Sequence, residues 1–252
     1  MLHIVSDSRA YDAAIRALVD AAEVATGLDA WLIVGGHMVN LHVLRSGVDR
    51  PARMTRDADL AVELLALRDG ALLTRLRELG YRNTMSANRF DLATPAGTAA
   101  IDVLVPSYSH RHRPNMDGGS IAVDGFPVLN LALARQPLVL DLAATLTAGD
   151  SLRARVHIPD VVSAIAIKAF AYAERFAARD AEDLASLLEV ADATGLAAAD
   201  WPDQRTFTAA ARHLSVFLDL PGRALADAAR SPRQQVRIRA LVRSLVGQPS
   251  RK

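Results

Sequence analysis

The spacing of apolar residues changes character once along this chain, and that change limits the folds open to it. Up to about residue 158, short apolar runs of strand length alternate with helical stretches. From Pro159 onward the apolar spacing is helical throughout and alanine dominates it. A chain ordered this way reads as α+β: a mixed sheet flanked by helices, followed by an α-helical bundle. The boundary is placed near residue 155, giving an α/β domain over 1–155 and a helical domain over 156–252.

Within the first part, residues 8–26 carry helical spacing behind Ser8, a residue type that caps helix N-termini. The apolar run Trp31–Val34 is followed by Gly35-Gly36 and a helical stretch to about Leu44, which reads as strand, glycine turn, helix. Residues 55–63 alternate as a strand, and residues 66–80 form an amphipathic helix ended by Gly80. Residues 88–93 and 98–105 read as a hairpin around Pro95-Ala96-Gly97. Residues 106–120 read as an open loop, 121–123 and 128–130 as strands, and 135–158 fits either state. The second part reads as helices near 160–178, 180–193, 204–218 and 232–246.

The strand 55–63 carries the chemistry. Alternate side chains of a strand share a face, so Thr55, Asp57 and Asp59 project together. Two neighbouring carboxylates repel unless a cation sits between them, and an oxygen-rich pair suits a hard ion such as Mg²⁺. Asp102 lies in the apolar run Ala100-Ile101-Asp102-Val103-Leu104, where a carboxylate is costly unless paired or metal-bound. Three acids on neighbouring strands can hold two Mg²⁺ ions, the arrangement that clamps the attacking and leaving oxygens of a phosphoryl displacement. Upstream, Gly35 and Gly36 open a helix whose free N–H groups can receive a phosphate.

Taken together, VGGHMVNLH (34–42), RMTRDADLAV (53–62) and AIDVLV (100–105) resemble the nucleotidyltransferase fold of the DNA polymerase β superfamily. More narrowly, Gly-Gly-x-x-x-Asn-x-His followed by Arg-x-Thr-x-Asp-x-Asp is similar to the AbiEii/MenT-type nucleotidyltransferase toxins. The likeness extends through IPDVVSAIAIKAF (158–170) and RDAEDL (179–184), which resemble that family's later Lys and Asp motifs. It implies metal ligation by Asp57, Asp59 and Asp102, triphosphate seating by Gly35, Gly36 and Thr55, and a functional Lys168, with Asp183 orienting either Lys168 or the acceptor. It further implies transfer of a nucleoside monophosphate from an NTP, with the 3′ end of tRNA as acceptor and a cognate antitoxin protein as partner. Many relatives place Ser after the first glycine; this chain has Gly36, and its segment from Gly36 to Asp57 is longer.

Lys168 draws notice for another reason. The 29 basic residues are 27 Arg and two Lys, Lys168 and Lys252. Lys168 falls in an apolar helical stretch, where it reads either as a surface lysine lying along the helix or as a point charge for phosphates. Asp180 reads as an N-cap or as the functional acid in place of Asp183. His37 and His42, five apart, do not share a helix face, so packing or nucleotide contact is expected of them rather than zinc. His110, Arg111, His112 and Arg113 form a basic loop, read as solvated or as an acceptor clamp. Residues 221–252 carry eight cations against Asp227, a net +7, with Arg233/Arg237 and Arg239/Arg243 at i,i+4. That tail reads as binding RNA phosphates, as docking an acidic partner, or as a solvated helix.

Other classes are excluded or set aside. There is no cysteine, so disulfides, thiolate metal sites and cysteine nucleophiles are excluded, and a reducing cytoplasm is expected. No apolar stretch reaches the roughly 18 residues of a membrane span, and the start lacks a secretory pattern. Two readings compete with the toxin: the same chemistry on a small-molecule hydroxyl such as that of an aminoglycoside, and an inactive fold used for binding.

Overall fold

The structure is a computed structural model and describes residues 1–50, 53–84, 88–109, 111–219, 228–229 and 231–246. The chain divides into two compact units. The first comprises Met1–Met38 and Arg53–Asp160, the second Val39–Ala52 and Val161–Lys252.

In the first unit the elements are β1 (Leu2–Val5), α1 (Arg9–Ala25), β2 (Trp31–Val34), the start of α2 (Gly35–Ser46), β3 (Asp57–Val62), α3 (Leu64–Arg68), α4 (Ala71–Glu78), β4 (Arg82–Asn83), β5 (Arg89–Thr94), β6 (Gly97–Pro106), β7 (Arg113–Asp117), β8 (Ala122–Phe126), α5 (Leu129–Ala134), β9 (Leu138–Thr145) and β10 (Ser151–Ile158). The larger sheet runs β2-β3-β6-β5-β4, with β8 beside the end of β6 and β7 beside β8. β3 and β6 are parallel, whereas β2, β5 and β4 pair antiparallel to their neighbours. A smaller sheet runs β1-β9-β10.

The larger sheet is two-faced because its strands alternate. Ala58, Leu60, Phe90, Ile101 and Val103 are fully buried on one face, which α1 covers along β3 and β6. Alanines at 14, 17, 21, 22 and 25 of α1 are buried with Ile15 and Leu18, and their small side chains let the helix lie close. Asp57, Asp59, Asp91, Asp102 and Arg89 stand on the opposite face. Ser8 caps α1 as its residue type predicts, accepting a hydrogen bond from Tyr11 N.

In the second unit, α6 (Val161–Arg175), α7 (Ala178–Ala193), α8 (Arg205–Asp219) and α9 (Pro232–Val246) pack with α6 against α7 and α8, and α9 against both of those. The Tyr172 ring meets Phe217 edge-on at 5.2 Å.

Three local expectations are corrected, and two further segments are defined. The helix expected over 66–80 is two helices, because Gly70 adopts φ +78 between them. The loop expected over 106–120 contains β7. The strand expected at 128–130 is the start of α5, and residues 2–5 pair as β1 alongside β9. The 135–158 segment resolves to a hairpin, β9 with β10.

One buried polar group anchors α1. Asp20 is 1% exposed and accepts from Arg16 Nε at 2.8 Å and from the Tyr81 hydroxyl at 3.0 Å. Burial and then the Asp20 charge hold the Tyr81 phenol well above its ordinary range. Tyr81→Phe removes one donor from a buried carboxylate and should cost about 1–3 kcal/mol. Chemical unfolding measures this; an unchanged midpoint would show that Arg16 alone satisfies Asp20.

Candidate active site

Strand register assembles the site. Asp59 of β3 stands directly opposite Asp102 of β6, and Asp102 in turn opposite Arg89 of β5. One step along, Asp57 is opposite Ala100, and Ala100 opposite Asp91. Two rows of side chains therefore share the exposed face: Asp59, Asp102, Arg89 and Asp57, Ala100, Asp91. Arg89 ends the first row, and its guanidinium reaches into both. Its Nη1 donates to Asp102 Oδ2 at 3.1 Å and to Asp57 Oδ2 at 3.4 Å, while its Nε donates to Asp91 Oδ1 at 3.1 Å.

Arg89 and Asp91 are the site residues that sequence reading missed. Their signal was available: Arg89-Phe90-Asp91 alternates around a fully buried Phe90 in the strand that precedes Asp102.

Crowding has a measurable consequence. Burial raises the Asp102 carboxyl to about 6; Arg89 opposes this, and the Asp57 and Asp91 charges add to it. In the unfolded chain the group titrates near its ordinary value.

Gly35 and Gly36 are the first residues of α2 rather than a turn before it. Gly35 has φ +65, and a Cβ there would land inside the Asp59 carboxylate. A Cβ on Gly36 would lie 2.5 Å from Arg53 Nη2 and 2.7 Å from Thr55 Oγ1. The place where a serine side chain would stand is thus taken by Arg53 and Thr55, which accounts physically for Gly36. Thr55 is buried just before β3, with its Oγ1 3.5 Å from Asp57 Oδ1. His37 is also buried. Burial, helped by Arg53, drives its imidazole down to about 4, against the opposing effects of Asp57 and a hydrogen bond to the Ala14 backbone. It is a neutral packing histidine.

A divalent cation fits the donor chemistry here. Asp57, Asp59 and Asp102 offer hard carboxylate oxygens on adjacent strands, and the Arg89 guanidinium already occupies the position of a counter-cation between Asp57 and Asp102. Among the described residues no three acidic or histidine side chains converge as a ready metal cage.

The second unit brings together the other residues singled out. Lys168 is buried, 4% exposed, which corrects the surface-lysine alternative. Its Nζ lies 2.7 Å from Asp183 Oδ2 and 3.5 Å from Asp180 Oδ1. Arg175 also binds Asp180, through Nη2 at 3.0 Å. Asp180 lies inside the first turn of α7 and is no N-cap; Ala177 holds that position.

The basic segments resolve in part. His110 lies outside the described residues. His112 stacks on Phe126 with ring centroids 4.7 Å apart, its Nε2 3.8 Å from Asp124 Oδ2, while Arg111 and Arg113 are exposed. In α9, Arg237 is held by Glu189 and Asp192 of α7, at 2.5 and 2.9 Å, and Arg239 donates to the Leu218 carbonyl at 3.1 Å. The expected i,i+4 basic pairs therefore each have one member engaged within the bundle. Arg223, Arg230, Arg251 and Lys252 lie outside the described residues.

The fold is nucleotidyltransferase-like. The crystal structure of an antigenic nucleotidyltransferase-like protein from Paracoccidioides brasiliensis superposes with a TM-score of 0.51 at 14% identity, over 96% of this chain and 95% of that one. The solution structure of the antibiotic-resistance factor ANT(2'')-Ia aligns over 93% and 88% of the two chains at 14% identity, with a TM-score of 0.30. No family model matches the sequence, and no curated protein matches it significantly. Among the described residues no helix is long and apolar enough to cross a membrane.

Two outcomes are expected. Gly35→Ala should destabilise by more than the roughly 1–2 kcal/mol that the left-handed conformation costs an ordinary residue, because Asp59 must also move. A smaller loss in thermal unfolding would show that Asp59 is not fixed against Gly35. The raised Asp102 carboxyl carries a sign. Between about pH 4 and 6 the folded protein holds a proton that the unfolded chain has released, so this group's contribution to stability falls as pH rises through that window and is level above it. Asp102→Asn should remove that slope from urea midpoints. Parallel pH profiles for wild type and variant would contradict the assignment.

Proposed function

We propose that the protein is a Mg²⁺-dependent nucleotidyltransferase that moves a nucleoside monophosphate from an NTP to an acceptor hydroxyl. The observation that carries this reading is the register of β3 and β6, which places Asp59 beside Asp102 with Asp57 one step along, and sets Asp59 against Gly35 at the start of α2. The acceptor oxygen bonds to the α-phosphorus, the bond from that phosphorus to the bridging oxygen breaks, and pyrophosphate leaves. Asp57, Asp59 and Asp102 would hold the metal, which supplies Lewis acidity and clamps the attacking and leaving oxygens when bound. Asp102 is also the candidate to take the hydroxyl proton. The N–H groups of Gly35 and Gly36, with Thr55, seat the triphosphate.

The resemblance to AbiEii/MenT-type toxins supports a finer reading: a toxin acting on the 3′ end of tRNA and restrained by a cognate antitoxin. A small-molecule hydroxyl is the second reading. It is favoured by the acidic sheet face, which suits a cationic acceptor, and by the engagement of Arg237 inside the bundle rather than with an external polyanion.

The test is incubation with each α-labelled NTP, Mg²⁺ and total tRNA, with aminoglycosides in parallel. Label should enter RNA, and Asp57→Ala and Asp59→Ala should each abolish transfer while thermal unfolding shows a folded protein. Transfer at the wild-type rate by either variant would sink the assignment. Label on aminoglycoside alone would select the second reading, and no Mg²⁺-dependent NTP binding would leave a binding module. Lys168→Met should destabilise by about 3–5 kcal/mol, because it removes the ammonium paired with the buried Asp183 while Asp180 keeps Arg175. An unchanged melting temperature would show that the buried pair contributes nothing net.

A further inference from the structure

We infer that Arg89 is a built-in competitor of the divalent cation, a resident counter-charge that holds Asp57 and Asp102 when no metal is bound and is retained by Asp91 when one is. The inference rests on the metal-dependent reading of the site above.

The Arg89 Nη1 is shared between two carboxylates on two strands. Its contacts to Asp102 are 3.1 and 3.4 Å, and that to Asp57 is 3.4 Å. A charge-assisted N–H···O bond at its best is about 2.7–2.9 Å. Arg89 Nη1 is therefore divided between two acids and satisfies neither fully, and its bond to Asp102 is no shorter than the one its Nε makes to Asp91. The contrast within the same chain is Lys168, whose bond to Asp183 is 2.7 Å and fully enclosed. The Arg89 cluster is also wet: the side chains of Arg89, Asp57 and Asp102 are 31%, 36% and 20% exposed. A loosely bonded, solvent-reachable guanidinium of charge +1 is poorly placed to hold carboxylates against a small ion of charge +2.

Asp91 makes the exchange reversible. It lies on the same strand and face as Arg89, two residues on, and accepts from Arg89 Nε at 3.1 Å. That bond uses a different nitrogen from the one shared by Asp57 and Asp102. The Nη1 contacts can be given up while the Nε bond keeps the guanidinium at hand. Without Arg89, the metal-free face would carry Asp57, Asp91 and Asp102 with their mutual repulsion uncompensated by it. Without Asp91, a displaced guanidinium would have no carboxylate on its own strand to receive it.

Calorimetric titration of the full chain with Mn²⁺ alone, with no nucleotide, tests this together with thermal unfolding in chelator. Arg89→Gln should bind Mn²⁺ about tenfold more tightly than wild type, because a competing positive charge at ion-pair distance is gone. It should also melt lower in chelator and be raised by saturating Mn²⁺ more than wild type is. Arg89→Lys keeps the charge as a single point and should bind with an affinity between the two, which covers the case in which Arg89→Gln does not fold. Equal affinity in wild type and the folded variant, or weaker binding by the variant, would overturn the inference while leaving the metal site standing. No Mn²⁺ binding by any of the proteins would contradict the metal-dependent reading itself, and the inference with it.

Discussion

Mutual repulsion among Asp57, Asp59, Asp91 and Asp102 is the constraint around which the first unit is arranged. Their placement follows from strand pairing alone: β3 and β6 run parallel, so acids at equivalent steps of the two strands become neighbours. The fold accepts this because the other face of the same strands is wholly apolar and covered by α1, and a strand cannot turn one side chain over without turning all of them. Sheet burial on one side thus holds the carboxylates together on the other. Arg89 and the raised Asp102 carboxyl both ease the accumulated charge. Gly35 serves a different need: Asp59 requires backbone without a side chain beside it.

The two units use ion pairs differently. In the second, Lys168, Arg175, Asp180 and Asp183 form a network in which Lys168 and both acids are buried and Lys168–Asp183 is short. Removing one partner strands an uncompensated charge, so these residues act architecturally whatever else they do. The Arg237 pairs with Glu189 and Asp192 join α9 to α7 at a more exposed position, where such pairs contribute modestly. In the first unit the Arg89 contacts are longer and open to solvent. Tight, dry pairs hold helices in place, whereas the loose, wet cluster on the sheet can change partners.

Much of this was readable in the sequence, for identifiable reasons. Trp31–Val34 and Pro232–Val246 fall on the expected limits because each is bounded by strong local signals, glycines in one case and an N1 proline in the other. The Asp57/Asp59 pair was visible from strand alternation, and Asp102 from its cost in an apolar run. Four features were not. β1 is four residues long and pairs with β9, more than 130 residues away, so no local pattern marks it. β7 is mostly exposed and lacks apolar alternation. The split at Gly70 depends on a backbone conformation that amphipathic spacing hides. Arg89 and Asp91 joined the site through pairing of β5 with β6, and adjacency across a sheet is tertiary information that side-chain spacing carries only as a parity.

If the carboxylate face of the larger sheet is a metal-bound nucleotide site, anomalous diffraction from crystals grown with Mn²⁺ and a non-hydrolysable NTP will show it directly. An anomalous peak is expected against the Asp57 and Asp59 carboxylates, with the triphosphate at the N–H groups of Gly35 and Gly36. A bound nucleotide elsewhere, or a metal peak away from Asp57 and Asp59, would contradict this reading.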